Sequence, residues 1–103
     1  MTKTEIKKAI TQAVLEMLTN KYNAYNIDDE MGGRICFSFD SESGNVFTGE
    51  YHRSYNDIYI DDNMVRPSDE YSDDTIRWEE GQKYDVLLNE EVGIIVDKYL
   101  AAQ

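Results

Sequence analysis

The sequence predicts an α+β fold: a two-layer sandwich whose four-stranded antiparallel sheet carries N- and C-terminal helices packed on one face, in the order α-β-β-β-β-α. Three observations lead there. Apolar residues recur at steps of three and four near both ends of the chain, which is the period of a helix with one buried stripe. Between those ends the apolar period drops to two, the mark of half-buried strands. The chain has 103 residues, 41% of them hydrophobic, enough for one core and one domain spanning 1–103.

The first helix begins at Thr2, with Glu5 three residues on in the manner of a capping box. Ile6, Ala9, Ile10, Ala13, Val14, Met17 and Leu18 form its stripe, and Lys7, Lys8, Gln12 and Glu16 fall mostly elsewhere. Its end falls between Asn20 and Asn26.

Gly32 and Gly33 then suit a turn, and "RICFSFD" places Ile35, Phe37 and Phe39 on one face. "SESGN" reads as the loop of a hairpin whose second strand, "VFTGEYH", turns Phe47 and Tyr51 inward. "NDIYIDD" puts Ile58 and Ile60 inward, with Asp57, Tyr59 and Asp61 outward. "TIRWEE" offers a fourth strand with Ile76 and Trp78 inward.

The last segment carries Tyr84, Leu87, Leu88, Val92, Ile95, Val96, Tyr99 and Leu100 at helical spacing. Asn89 before Glu90 and Glu91 also fits an N-cap, so the spacing over 83–101 admits one helix or two.

Charge narrows function more than any motif does. The net charge is −11, and it is uneven. Residues 1–25 hold four lysines against two glutamates, whereas residues 26–103 hold six bases against nineteen acids. Such a surface disfavours direct contact with nucleic acid or an anionic membrane and favours basic proteins. A single cysteine, Cys36, forbids an intrachain disulfide, and the lysines spaced through residues 1–20 leave no signal-peptide core. The expected location is cytoplasmic.

The acids concentrate in "DDNMVRPSDEYSDD", residues 61–74, which holds six of them beside one arginine and the only proline. A calcium loop needs six to eight oxygens converging at about 2.3–2.6 Å on a tightly turned frame. Neither this segment nor "DSESGN" has that spacing. One histidine and one cysteine build no structural zinc site, and Gly32-Gly33 precedes a strand, not a helix that would cradle phosphate. No cofactor or metal is therefore expected.

The remaining reading is a small acidic, non-enzymatic protein-binding domain, an adaptor or inhibitor. Its interface would draw on Asp57, Tyr59, Asp61, Asp62, Asp69, Glu70, Tyr71, Asp73 and Asp74. Strand residues two apart lie about 6.6 Å from one another, so Asp57 and Asp61 would form a ladder that Glu50 joins from the next strand. Asp85, Glu90, Glu91 and Asp97 make a second candidate row. In its sharper form the protein mimics a nucleic acid and occupies a basic groove of its target.

The alternative is a small enzyme. If Phe39 pairs with Phe47, Cys36 stands opposite Glu50 and Arg34 opposite His52, which gathers a thiol, a carboxylate and an imidazole on the open face. A flat sheet face offers them no oxyanion donors and no exclusion of water. Association of two copies through that face remains compatible with the sequence.

Overall fold

A computed structural model describes residues 1–29, 32–60 and 73–101. Helix α1 spans Lys3–Tyr22, strand β1 Tyr25–Asp28, β2 Arg34–Asp40, β3 Val46–His52, β4 Asp57–Ile60, and helix α2 Asp73–Ala101. The strands form one antiparallel meander in the order β1-β2-β3-β4. The α-β-β-β-β-α order and the α+β class are those the sequence predicts, but one strand is a different segment.

Residues 75–80 are helical, not a strand. Thr75 is 1% exposed whereas Ile76 is 57% exposed, the reverse of the strand expectation. The buried stripe of α2 runs backward from Leu88 and Tyr84 through Gly81 to Thr75 at helical steps, and Trp78 lies half-buried beside it. The alternation of Ile76 and Trp78 is thus two residues of a helix that happen to match a period of two. The whole segment 73–101 is one helix, without a fresh start at Asn89.

The fourth strand is instead β1, which follows α1 after two residues. Thr2 caps α1 by accepting the Glu5 N–H at 3.1 Å, and its hydroxyl donates to the Glu5 carboxylate at 3.1 Å. At the other end Asn23 adopts a left-handed conformation, φ 54°, that stops the helix and turns the chain into the sheet. Every residue of β1 is exposed and its register with β2 shifts between Tyr25 and Asp28, where Asn26 is left-handed. A strand with that pattern carries no apolar alternation to read.

Both helices cover one face of the sheet. Ile6, Ile10, Val14 and Leu18 of α1 meet Ile35, Phe37, Phe39, Phe47, Tyr51, Ile58 and Ile60 of the sheet and Tyr84, Leu88 and Val92 of α2. Each such side chain, fully buried, contributes about 1.5–3 kcal/mol. Phe39 is the hub: its ring lies 5.0 Å from Tyr84, 5.7 Å from Phe47 and 6.1 Å from Tyr22. Gly49, paired with Phe37, leaves room for the Phe37 ring, and a Cβ there would come within 2.6 Å of Phe37 Cζ.

Polar ties fix α2 to the sheet. Glu80 accepts from the Ser43 hydroxyl at 2.6 Å and the Asn45 amide at 3.0 Å, while the Tyr84 hydroxyl accepts the Glu42 N–H at 3.1 Å. The β2–β3 loop is therefore bolted onto the first half of α2. About two helical turns along α2 from Tyr84, Glu91 pairs with Lys21 of α1. The radius of gyration, 14.8 Å, exceeds the roughly 13 Å typical of 100 residues, because 29 helical residues in α2 alone run about 43 Å.

Candidate functional site

The face of the sheet turned away from the helices is organised by the β2–β3 register. Phe39 pairs with Phe47, Cys36 with Glu50 and Arg34 with His52, as the sequence predicts. On the far side Glu50 pairs with Tyr59 and His52 with Asp57. On the near side Ser38 pairs with Tyr25 and Cys36 with Asp28. Paired residues share a face, so two rows cross the sheet: Asp28–Cys36–Glu50–Tyr59 and Arg34–His52–Asp57.

Tyr59 is the most prominent apolar surface on this face, 53% exposed. Its ring meets the His52 ring edge-on at 4.9 Å. A hydrogen bond to Asp57, reinforced by the Asp57 charge, pushes the Tyr59 phenol upward from its ordinary pKa. Tyr25 flanks the opposite border, and its hydroxyl donates to Asp40 at 2.7 Å, which likewise raises its pKa. Val46, 51% exposed, adds apolar area near the hairpin loop.

Glu50 is the central carboxylate, and its charge is shared. Its Oε2 lies 3.2 Å from His52 Nε2 and 3.6 Å from Arg34 Nη1. The order along the face is Cys36, Glu50, His52, with the carboxylate in the middle. Catalysis by a cysteine nucleophile needs the imidazole between thiol and acid, and cross-strand diagonals such as Cys36 and His52 stand about 7–8 Å apart.

The nine residues expected at the interface divide. Asp57 and Tyr59 are neighbours on β4, Tyr59 exposed and Asp57 half-buried, with its Oδ1 enclosed and without a hydrogen-bond partner among the described residues. Asp73 is exposed at the start of α2, followed by Asp74. Asn89, which touches β4 at Ile58, lies sixteen residues after Asp73 along the helix. At about 1.5 Å per residue this puts Asp73 roughly 24 Å along α2 from β4's anchor. Asp61, Asp62, Asp69, Glu70 and Tyr71 lie outside the described residues.

The helix-side acid row is broken by its own contacts. Glu91 is engaged by Lys21, and Asp85 is half-buried beside Asn89. Burial, with a smaller push from the Asp57 charge, raises the Asp85 carboxyl above its ordinary pKa. Glu90 and Asp97 remain exposed. Asn89, which spacing offers only as an N-cap, and Glu80 tie distant segments together, roles that spacing along the chain does not indicate.

Among the described residues no three His, Cys, Asp or Glu side chains converge as ligands to a metal would. No helix among them is long and apolar enough to cross a membrane. Two grooves lie elsewhere, one between α1 and the Ile35 end of the sheet and one where α1 meets α2 near Tyr84. Comparison with protein-family models, with curated proteins and with solved structures finds no match for this chain.

Proposed function

We propose that the protein is a small, cytoplasmic, acidic binding domain that engages a basic protein without catalysing a reaction, in the manner of an adaptor or inhibitor. The observation that carries this reading is Tyr59. It stands exposed on a sheet face that neither helix covers, held between the His52 ring and the Asp57 carboxylate. Tyrosine contributes contact area with a polar tip and little rotamer entropy, which is why it is enriched at interfaces. The excess of acids, net −11, would draw a cationic partner toward it.

Steering by charge and anchoring by Tyr59 are separable roles. A partner whose nucleic-acid groove is filled by the carboxylates of 57–74 would leave steeply with salt. A partner anchored on the tyrosine would resist salt and depend on the ring. The test is affinity capture from host lysate on wild type, Tyr59→Ala and Asp73→Asn in parallel, with stepped salt elution and quantitative mass spectrometry. A basic protein retained by wild type and reduced about tenfold or more by Tyr59→Ala is the expected result. Equal retention on wild type and Tyr59→Ala would overturn the reading of this face.

A further inference from the structure

We propose that the groove between the first half of α1 and the Ile35–Arg53 end of the sheet binds a small organic anion, its oxyanion head held by Lys7, Lys8 and Arg53 and its apolar body resting on Leu15, with Ile10 and Ile35 buried beneath. The site lies on the helical side of the molecule, apart from the Tyr59 face, and does not depend on that interface.

Composition sets this groove apart. In a chain of net charge −11, three of the ten bases line one concavity, where Asp29 is the one carboxylate among the described lining residues. The groove encloses about 540 Å3, within the ~300–1,000 Å3 usual for small-molecule sites. Thr4, Lys8, Thr11 and Leu15 recur at steps of four, three and four, so one face of α1 supplies hydroxyls, a cation and an apolar floor together.

The far wall is held in place from beneath. The Tyr51 hydroxyl, buried with the rest of its side chain, donates to Asn56 Oδ1 at 3.0 Å and also bonds Thr11. That bond occupies the oxygen of the Asn56 amide, so its N–H groups are the end left to donate into the groove. The Arg53 N–H donates to the Gly33 carbonyl at 3.0 Å, fixing the turn from which its side chain extends. Asp29 Oδ2 lies 3.7 Å from Arg53 Nη2, which orients the guanidinium.

Arg53 carries the second observation. Its Nε is enclosed yet has no hydrogen-bond partner among the described residues. With Nε sealed and the side chain still 40% exposed, the outer guanidinium N–H groups are the donors that a ligand can reach. An oxyanion is the acceptor that a guanidinium fork fits best, and the two lysines add point charge. Phosphate and carboxylate heads share this chemistry, and the apolar floor requires a body behind the head.

The experiment is a 1H–15N titration of the full chain at about 0.15 M salt, where screening over roughly 8 Å leaves the local cations in control. The probes are phenyl phosphate and phenylacetate, which share a ring and differ in head, and inorganic phosphate, which lacks the body. Saturable shifts of the Arg53 Nε–H, the Asn56 side-chain amide and Thr11 are expected with one or both aromatic probes, and the stronger of the two identifies the head. Inorganic phosphate is expected to bind more weakly at the same peaks. Arg53→Gln and the exposed-site variant Lys8→Gln should each weaken binding, the former about tenfold or more.

Absence of saturable shifts below about 10 mM would overturn the proposal. So would shifts unchanged in both variants, or shifts centred on the Lys21–Lys83 groove. Peak movement that follows protein concentration without any probe would mean that the acidic surface of a second copy fills the groove, which also overturns it.

Discussion

The carboxamide of Asn89 hydrogen-bonds both backbone groups of Ile58, accepting its N–H at 2.8 Å and donating to its carbonyl at 2.9 Å. One side chain from α2 thus takes the place that a neighbouring strand would occupy beside β4. The same Nδ2 also donates to the Asp85 carbonyl one helical turn earlier, which holds the amide in position. Unpaired strand edges invite pairing with other chains, and here a helix covers the edge with an amide.

Asn89→Ala removes both bonds and leaves a part-buried peptide group unsatisfied. A loss of about 1–3 kcal/mol is expected in urea denaturation, at an unchanged m-value. Light scattering should show more association in the variant than in wild type. Unchanged stability would show that water replaces the amide at no cost.

Gly49 is fixed by the Phe37 ring. Its alanine variant places a methyl 2.6 Å from Phe37 Cζ, a ring packed in the centre of the core. Gly49→Ala is expected to cost about 1–3 kcal/mol, as overpacking does. Thermal denaturation checks this, and Gly49→Ala combined with Phe37→Leu should recover part of the loss.

Two carboxylates on α2 should respond to pH with opposite signs. Burial alone would raise Glu80, but hydrogen bonds from Ser43, Ser41 and Asn45 outweigh it and leave its pKa lowered. Its stabilising share is therefore present above the unfolded pKa and fades as pH falls through the folded value. Asp85 is raised, so the folded state holds a proton more tightly than the unfolded one, and this group favours folding increasingly as pH falls from the folded toward the unfolded pKa. Asp85→Asn is expected to stabilise the protein at neutral pH and to remove that acid-side gain. Glu80→Gln should destabilise at neutral pH and flatten the acid-side loss. Urea midpoints from about pH 3 to 7 test both signs, since ordinary carboxylates titrate in that range.

The non-enzymatic reading proposed above expects Cys36 to react as an ordinary thiol. The residue facing it is Glu50, whose carboxylate engages His52. Reaction with a disulfide reagent at neutral pH should match a model thiol within about an order of magnitude once partial burial is allowed for. A rate far above that, lost in His52→Ala, would favour the enzymatic reading of this face.

The legible parts of the fold were those whose apolar residues alternate against a covered face. Ile35, Phe37, Phe39, Phe47, Tyr51, Ile58 and Ile60 are all buried, and the Phe39–Phe47 pairing follows from them. β1 was illegible because it buries nothing, and its left-handed Asn26 breaks any period. The start of α2 reads as a strand because Thr75 and Gly81, its buried residues, are not apolar side chains, whereas the outward Ile76 is. The Cys36–Glu50 and Arg34–His52 neighbours follow from the hairpin. The joins made by Asn89, Glu80 and Arg53 link segments far apart in sequence, and no local spacing encodes them.

The two borders of the sheet have a bearing on how copies of this chain can assemble. Strand-by-strand polymerisation needs two sticky edges per subunit, one to receive and one to offer. Asn89 occupies the Ile58 groups on the β4 border, and the β1 border is only four residues long and kinked at Asn26. Among the described residues the Ile58 groups are closed to pairing, so the sheet-edge contact expected between copies is β1 meeting β1, a closed two-copy union that has nowhere to grow. The amide on one helix makes a very short sheet a poor seed for a fibre.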